Sequence, residues 1–266
     1  RARQSVAAGL GCESDSVIFT SGGTEADNMA IFGLADRHLG RKVVTTDAEH
    51  PAVLESVREL GRRGFEPVFL STLGGAPDME QAAKVIDDDT ALVVMMLVNN
   101  ETGAIFPVDK IGAHIRAHSK AKFHIDAVQA FGRVPFSPKT LSCDTLAVSS
   151  HKIGGPKGVG ALYIAPGVHL TRTVFGGGQE GGIRSGTENM PGIAGFGAAV
   201  EETFRDGAAK RAAVRALRDY AAEGLQKAGA VINNPHRPAP HILNFSVPGF
   251  KAEPTLNRLS EMGICV

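Results

Sequence analysis

Cysteine is scarce in this chain: Cys12, Cys143 and Cys265 are the only three in 266 residues, far apart and with no C-x-x-C pair. That spacing excludes a disulfide framework and a zinc site, predicts no metal, and fits a reducing compartment such as the cytoplasm. No apolar stretch approaches the roughly 20 residues of a membrane-spanning helix. Charge of one sign is also missing, since 28 Lys and Arg balance 28 Asp and Glu. The basic residues are scattered, so no nucleic-acid partner is indicated. An initiator methionine and a signal-peptide pattern are both absent at Arg1-Ala2-Arg3. At the other end, Met262 to Val266 stops inside what reads as an incoming strand, so the expectation is a fragment of a longer chain.

What is present is an ordinary globular balance, 43% hydrophobic and 21% charged, enough to bury a sizeable core. Short β-branched and aromatic runs predict strands over 16–20, 42–46, 66–70, 92–98, 121–126, 145–149 and 160–164. Between them, 3.6-residue periodicity predicts helices over 24–35, from Pro51 to about Leu60, 78–86 and 111–118. This alternation implies an α/β fold with a mostly parallel sheet covered by helices on both faces. Two further helices are expected over 191–204 and 208–227. The predicted division is a large domain over 1–230 and the first part of a smaller α+β domain over 231–266, with a strand at 241–247 and a helix at 252–261.

Ligands in such sheets bind beyond the carboxyl ends of the strands, and that is where the polar clusters fall. Gly22-Gly23-Thr24 lies between a strand and a helix start; it reads either as a capped helix entry or as an anion seat on backbone N–H groups. His50 follows another strand end, in reach of a planar ring, and Asn100 a third, although both have ordinary structural readings. Asp126 closes an apolar strand, where a lone carboxylate is costly, so it needs a strong partner: a cationic ring nitrogen, or an arginine or lysine. Gln129 is three residues on. Lys152 sits in the turn Ser149-Ser150-His151-Lys152-Ile153-Gly154-Gly155-Pro156, whose glycines allow close backbone approach. A lysine and a carboxylate at neighbouring strand ends are what pyridoxal phosphate (PLP) requires. The lysine carries the cofactor as a Schiff base, and the carboxylate holds the pyridine nitrogen protonated. A nucleotide-binding Rossmann domain fits less well, because no G-x-G-x-x-G follows the first strand.

The ordered set Ser21-Gly22-Gly23-Thr24-Glu25, Glu49-His50, Val98-Asn99-Asn100-Glu101, His124-x-Asp126-Ala127-x-Gln129, Ser149-x-His151-Lys152-x-x-Gly155-Pro156-Lys157-Gly158 and Arg184-Ser185-Gly186-Thr187 resembles the cysteine desulfurases. These are fold-type-I PLP enzymes of the class V aminotransferase family. The resemblance implies that Lys152 and His50 are catalytic, with His50 stacked on the ring. It further implies that Asp126 pairs with the pyridine nitrogen, and that Asn100 and Gln129 contact the ring-hydroxyl side. Gly23, Thr24, Ser149 and His151 would hold the phosphate, and Thr187 would reach the phosphate of a neighbouring subunit in a homodimer. The reaction implied is L-cysteine to L-alanine, with sulfur passed as a persulfide to an iron–sulfur scaffold or other acceptor. The family's Ser-Gly-Ser-x-Cys-like loop, its substrate-carboxylate arginine and its opening Asp-Asn-Ala-Ala-Thr-like segment have no counterpart here, and none of the three cysteines is assigned as nucleophile. A selenocysteine lyase, another class V aminotransferase and an inert fragment are the alternatives.

Overall fold

The computed structural model describes residues 1–265. Helix α1 (Ala2–Leu10) leads to strand β1 (Val17–Thr20) and helix α2 (Gly23–Ala35). Four βα units follow: β2 (Lys42–Thr46) with α3 (Pro51–Arg62), β3 (Glu66–Leu70) with α4 (Met79–Val85), β4 (Thr90–Met96) with α5 (Val108–His118), and β5 (Lys122–Asp126) with the short α6 (Pro138–Leu141). Strands β6 (Thr145–Ser149) and β7 (Gly160–Ile164) complete one seven-stranded sheet, ordered β1-β7-β6-β5-β4-β2-β3. The β2, β3, β4, β5 and β6 pairings are parallel, while β7 runs antiparallel to both β6 and β1. Six strands therefore share one direction, and their carboxyl ends lie along one edge of the sheet.

The period of two along each strand sorts side chains between two apolar layers. Val93 and Met95 of β4 pack with α1, α4, α5 and the later helix α7 (Met190–Phe204), whereas Leu92 and Val94 pack with α2 and α3. Phe196 of α7 is fully buried and meets Phe19 and Phe131 edge-on, with ring centroids 6.5 and 6.4 Å apart. Truncating such a ring to alanine costs about 3–5 kcal/mol. The same parity puts His124 and Asp126 of β5 on the α2 side, opposite Phe123 and Ile125. Two polar residues on a buried face signal a site.

Beyond the sheet, α8 (Gly207–Lys227) precedes a two-stranded antiparallel ribbon, β8 (Val231–Ile232) and β9 (Phe245–Ser246), and then α9 (Ala252–Glu261). The strand expected over 241–247 is reduced to the two residues that face Val231 and Ile232, with one further backbone bond from the Asn233 N–H to the Asn244 carbonyl at 2.9 Å. Likewise, β4 stops at Met96 and Val98 makes only an isolated bridge to Ile105. The buried Asn99 side chain ends the strand: its Oδ1 accepts from the backbone N–H groups of Glu101 and Thr102 at 3.0 and 2.8 Å, folding the chain into a turn.

Candidate active site

At the carboxyl edge of β1, β4, β5 and β6 lies a cavity of about 200 Å3. It gathers Gly23, Thr24, His50, Asn100, Asp126, Gln129, Ser149, His151 and Lys152, nine residues singled out in the sequence. Asp27, Met96, Val98 and Val128 complete its wall. Thr187 lies elsewhere: it is exposed and borders a separate small cavity with Thr20, Ser21 and Arg184. A larger cleft of about 800 Å3, between α8 and the loops around Ile105 and Phe136, is lined by Arg133, Arg211, Arg215, Asp109 and Asp219 and holds none of those nine residues.

Each side chain is delivered by a definite local device. Helix α2 begins with Gly22 as its N-cap and no side-chain cap, so Thr24 sits inside the first turn and is not the capping residue. Glu25 takes over that end of the helix: it accepts from the Ser21 backbone N–H and pairs with Arg184 at 2.9 Å. Arg184 thereby ties the distant Arg184–Thr187 segment to the cavity rim. Gly23 must be glycine, because a Cβ there would stand 2.6 Å from Cγ2 of Val128. His50 is the N-cap of α3, its Nδ1 accepting from the Ala52 N–H at 3.1 Å. That bond fixes the ring orientation and leaves Nε2 to carry the proton. Asn99 anchors the loop that presents Asn100, donating to the Ala48 carbonyl at 3.0 Å and so joining the β4 and β2 loops.

Lys152 rides on a single 3-10 turn, Ser150–Ile153, closed by Gly154 at φ 83°. Ile153 plugs that turn into the core, and Arg133 donates to the Lys152 carbonyl at 3.0 Å. Lys152 itself stands exposed at the cavity mouth. Ser149 Oγ and His151 Nδ1 are 2.9 Å apart.

The floor of the cavity is acidic and buried. Asp126 is 7% exposed, and its one hydrogen bond comes from the Val128 N–H at 2.8 Å. Among the described residues no arginine or lysine pairs with it. Burial, the chief cause, pushes its carboxyl up to about 7. An acid so placed calls for a cationic partner arriving from outside. Asp27, missed in the sequence, is a second buried carboxyl in the wall. Its signal was available, since Gly23 and Asp27 lie four residues apart on the stripe of α2 that faces the sheet.

The residues present fit PLP. The glycine-lined helix start suits a phosphate, the uncompensated Asp126 suits a pyridinium nitrogen, and Lys152 stands at the mouth for covalent attachment.

Comparison with known proteins agrees. The family Aminotransferase class-V matches residues 1–266. A protein of Trichormus variabilis named "Cysteine desulfurase 2" is 41% identical over all of this chain and 67% of its own length. "Cysteine desulfurase" of Trichormus azollae is 46% identical over 75% of this chain and 50% of its own. This chain thus spans half to two-thirds of the length of these relatives. A solved "NIFS-LIKE PROTEIN" superposes with a TM-score of 0.95 at 37% identity, covering 100% of this chain and 74% of that one. The fold is that of the NifS-like, type I PLP enzymes, and the cofactor is pyridoxal phosphate. Sequence, fold and site together assign the chain to the class V aminotransferase family, among the cysteine desulfurases.

Proposed function

We propose that this chain supplies the cofactor half of a desulfurase that converts L-cysteine to L-alanine and passes sulfur on as a persulfide. The observation that carries the reading is Asp126, buried on the cavity floor without a cation, with Lys152 at the mouth of the same cavity. PLP bound there supplies an electron-accepting ring that stabilises negative charge at the substrate Cα. Asp126 would hold a proton on the ring nitrogen. His50 would stack on the ring, oriented by its cap to Ala52, and Asn100 and Gln129 would contact its hydroxyl side. Gly23, Thr24, Ser149 and His151 would hold the phosphate. Lys152, once released from the cofactor, would take the proton from the substrate Cα on its Nζ.

Sulfur transfer needs a thiolate, and no cysteine lines the cavity among the described residues. Burial pushes the Cys12 thiol up to about 11 and the Cys143 thiol up to about 12, so both are held as inert thiols. Cys265 is exposed and likewise lies outside the cavity lining, so the nucleophile is assigned to a part of the parent protein outside this chain. The exposure of Thr187 at the rim of a neighbouring cavity supports its reaching the phosphate of a second subunit, and hence a homodimer. An iron–sulfur scaffold or another acceptor protein would take the sulfur. Three unpaired cysteines fit a cytoplasmic setting, and among the described residues no helix is long and apolar enough to cross a membrane.

The test is the visible absorption of the chain after adding PLP, beside Lys152→Ala. The expected result is a protonated Schiff-base band in the parent that the variant lacks. L-cysteine should then yield alanine only when the catalytic-cysteine loop is supplied. Equal spectra for parent and variant would refute the assignment of Lys152. Persulfide formed by this chain alone would refute the assignment of the nucleophile to another part of the parent.

A further inference from the structure

Asp27 is the buried acid that the reaction outlined above leaves unused. It is 1% exposed, lines the cavity, and has one polar contact, Nε2 of His124 at 3.1 Å. His124 is wholly buried, and its other nitrogen, Nδ1, lies 2.8 Å from Oγ1 of Thr145, also wholly buried. The result is a closed polar chain, Asp27 to His124 to Thr145, running from α2 across β5 to β6 beside Asp126.

With burial holding His124 neutral, two proton arrangements satisfy this chain. In one, Asp27 is ionised and accepts from Nε2–H. In the other, Asp27 keeps its proton and donates it to Nε2, while Nδ1–H donates to Thr145. We propose the second: Asp27 is a neutral carboxylic acid, and Asp126 alone carries the negative charge that faces the cofactor's ring nitrogen. The consequence for the cofactor rests on the PLP reading above; the protonation of Asp27 does not.

The surroundings decide between the two. An ionised Asp27 would be a buried charge with one neutral donor, beside the acids Asp126 and Glu49. Neighbouring carboxylates in a dry site cannot both ionise cheaply. Asp126 has the better claim to the charge, because it accepts from the backbone N–H of Val128 and faces His50 as well, whereas Asp27 faces His124 alone. The basic side chains around the cavity, His50, His151 and Lys152, belong to the loop after β2 and the turn after β6, and all three are exposed to solvent that screens any charge they carry. Glu49, in the loop after β2, has Oε1 bonded to Thr46 at 2.7 Å and Oε2 without a partner, and burial pushes it up to about 8. Burial also pushes Asp27 up to about 8 and His124 down to about 4, so both are neutral near pH 7. Asp27 is on this view a positioning residue: it fixes the His124 tautomer and removes a competing negative charge from beneath the cofactor.

The experiment is an infrared difference spectrum at pH 7 between the full chain and Asp27→Asn, which keeps the shape and an N–H donor toward Nε2. Without cofactor, the expected difference is loss of one protonated-carboxyl C=O band with no loss of carboxylate intensity. Loss of a carboxylate band instead would overturn the proposal. On loading PLP, carboxylate intensity should rise as Asp126 ionises while the Asp27 band stays. Disappearance of the Asp27 band on loading would also overturn it. If PLP fails to bind, the cofactor reading falls, and the cofactor-free spectrum still decides the proton. If Asp27→Asn does not fold, 13C-NMR titration of aspartate carboxyls in the unaltered chain gives the answer. One aspartate resonance must stay in its protonated position at pH 7 after that of Asp126 has begun to ionise, and finding every other aspartate carboxyl ionised at pH 7 would refute the inference.

Discussion

Replacing Asp126 with asparagine should make the cofactor-free protein more stable while weakening its hold on PLP. The asparagine keeps the acceptor for the Val128 N–H, so the perturbation is chiefly removal of the ionisable group. The folded state holds the Asp126 proton up to about 7, whereas the unfolded chain releases it near the ordinary 3.8. Stability is therefore lost as pH rises from about 4 through about 7, and the loss is complete above that. The difference sets a ceiling of about 4 kcal/mol at pH 8 and about 2 kcal/mol at pH 5. Water entering the cavity raises the local dielectric and roughly halves these figures, so a gain of about 2 kcal/mol at pH 8 and about 1 kcal/mol at pH 5 is expected. Urea unfolding of both proteins at the two pH values measures it. Saturating PLP should then stabilise the parent by mass action and the variant much less. If Asp126→Asn is no more stable at pH 8, or its gain is independent of pH, the account of Asp126 as a buried carboxyl awaiting a cation is wrong.

Two other substitutions probe the frame around the site. Gly23→Ala brings a Cβ to 2.6 Å from Cγ2 of Val128; PLP affinity, read by fluorescence titration, should fall about tenfold, or about 1.4 kcal/mol. The double variant with Val128→Ala should recover most of it, and failure to recover would mean that the clash is not the cause. Glu180→Ala removes both contacts to Arg3, at 2.7 and 2.8 Å, and the acceptor for the Phe19 N–H. With Glu180 buried, the expected loss is about 3–5 kcal/mol in chemical denaturation, and less than 1 kcal/mol would show that the pair is solvated in solution.

The parallel core of the fold was legible because the strands from β2 to β6 are compact β-branched or apolar runs, each closed by a polar residue or followed within a few residues by a polar turn. Asp126 and Lys152 stood out for the same reason, since a charged residue closing an apolar run has few cheap explanations. The reversal of β7 was not legible: Gly160–Ile164 is as apolar as a parallel strand, and only the short Gly154–Gly158 connection, too short for a helical crossover, hints at it. Asp27 escaped notice because an aspartate inside an amphipathic helix reads as solvent-facing until the helix face is known. The Arg3–Glu180 pair joins residues at nearly opposite ends of the chain, and no local pattern carries that information. His50 shows the converse, because its capping of α3 is an ordinary helix device that also aims the ring.

The reversed strand has a consequence for how the protein is made. Among the described residues β1 occupies an edge of the sheet and pairs with β7 alone, about 140 residues later in synthesis. Until that late strand emerges and inserts between β1 and β6, the glycine turn after β1 has no sheet to hold it. The central strands can assemble on the ribosome beforehand, but contacts of such long range close slowly and late. Cofactor capture should therefore report completed topology: a nascent chain cut short before residue 160 would be compact yet unable to retain PLP.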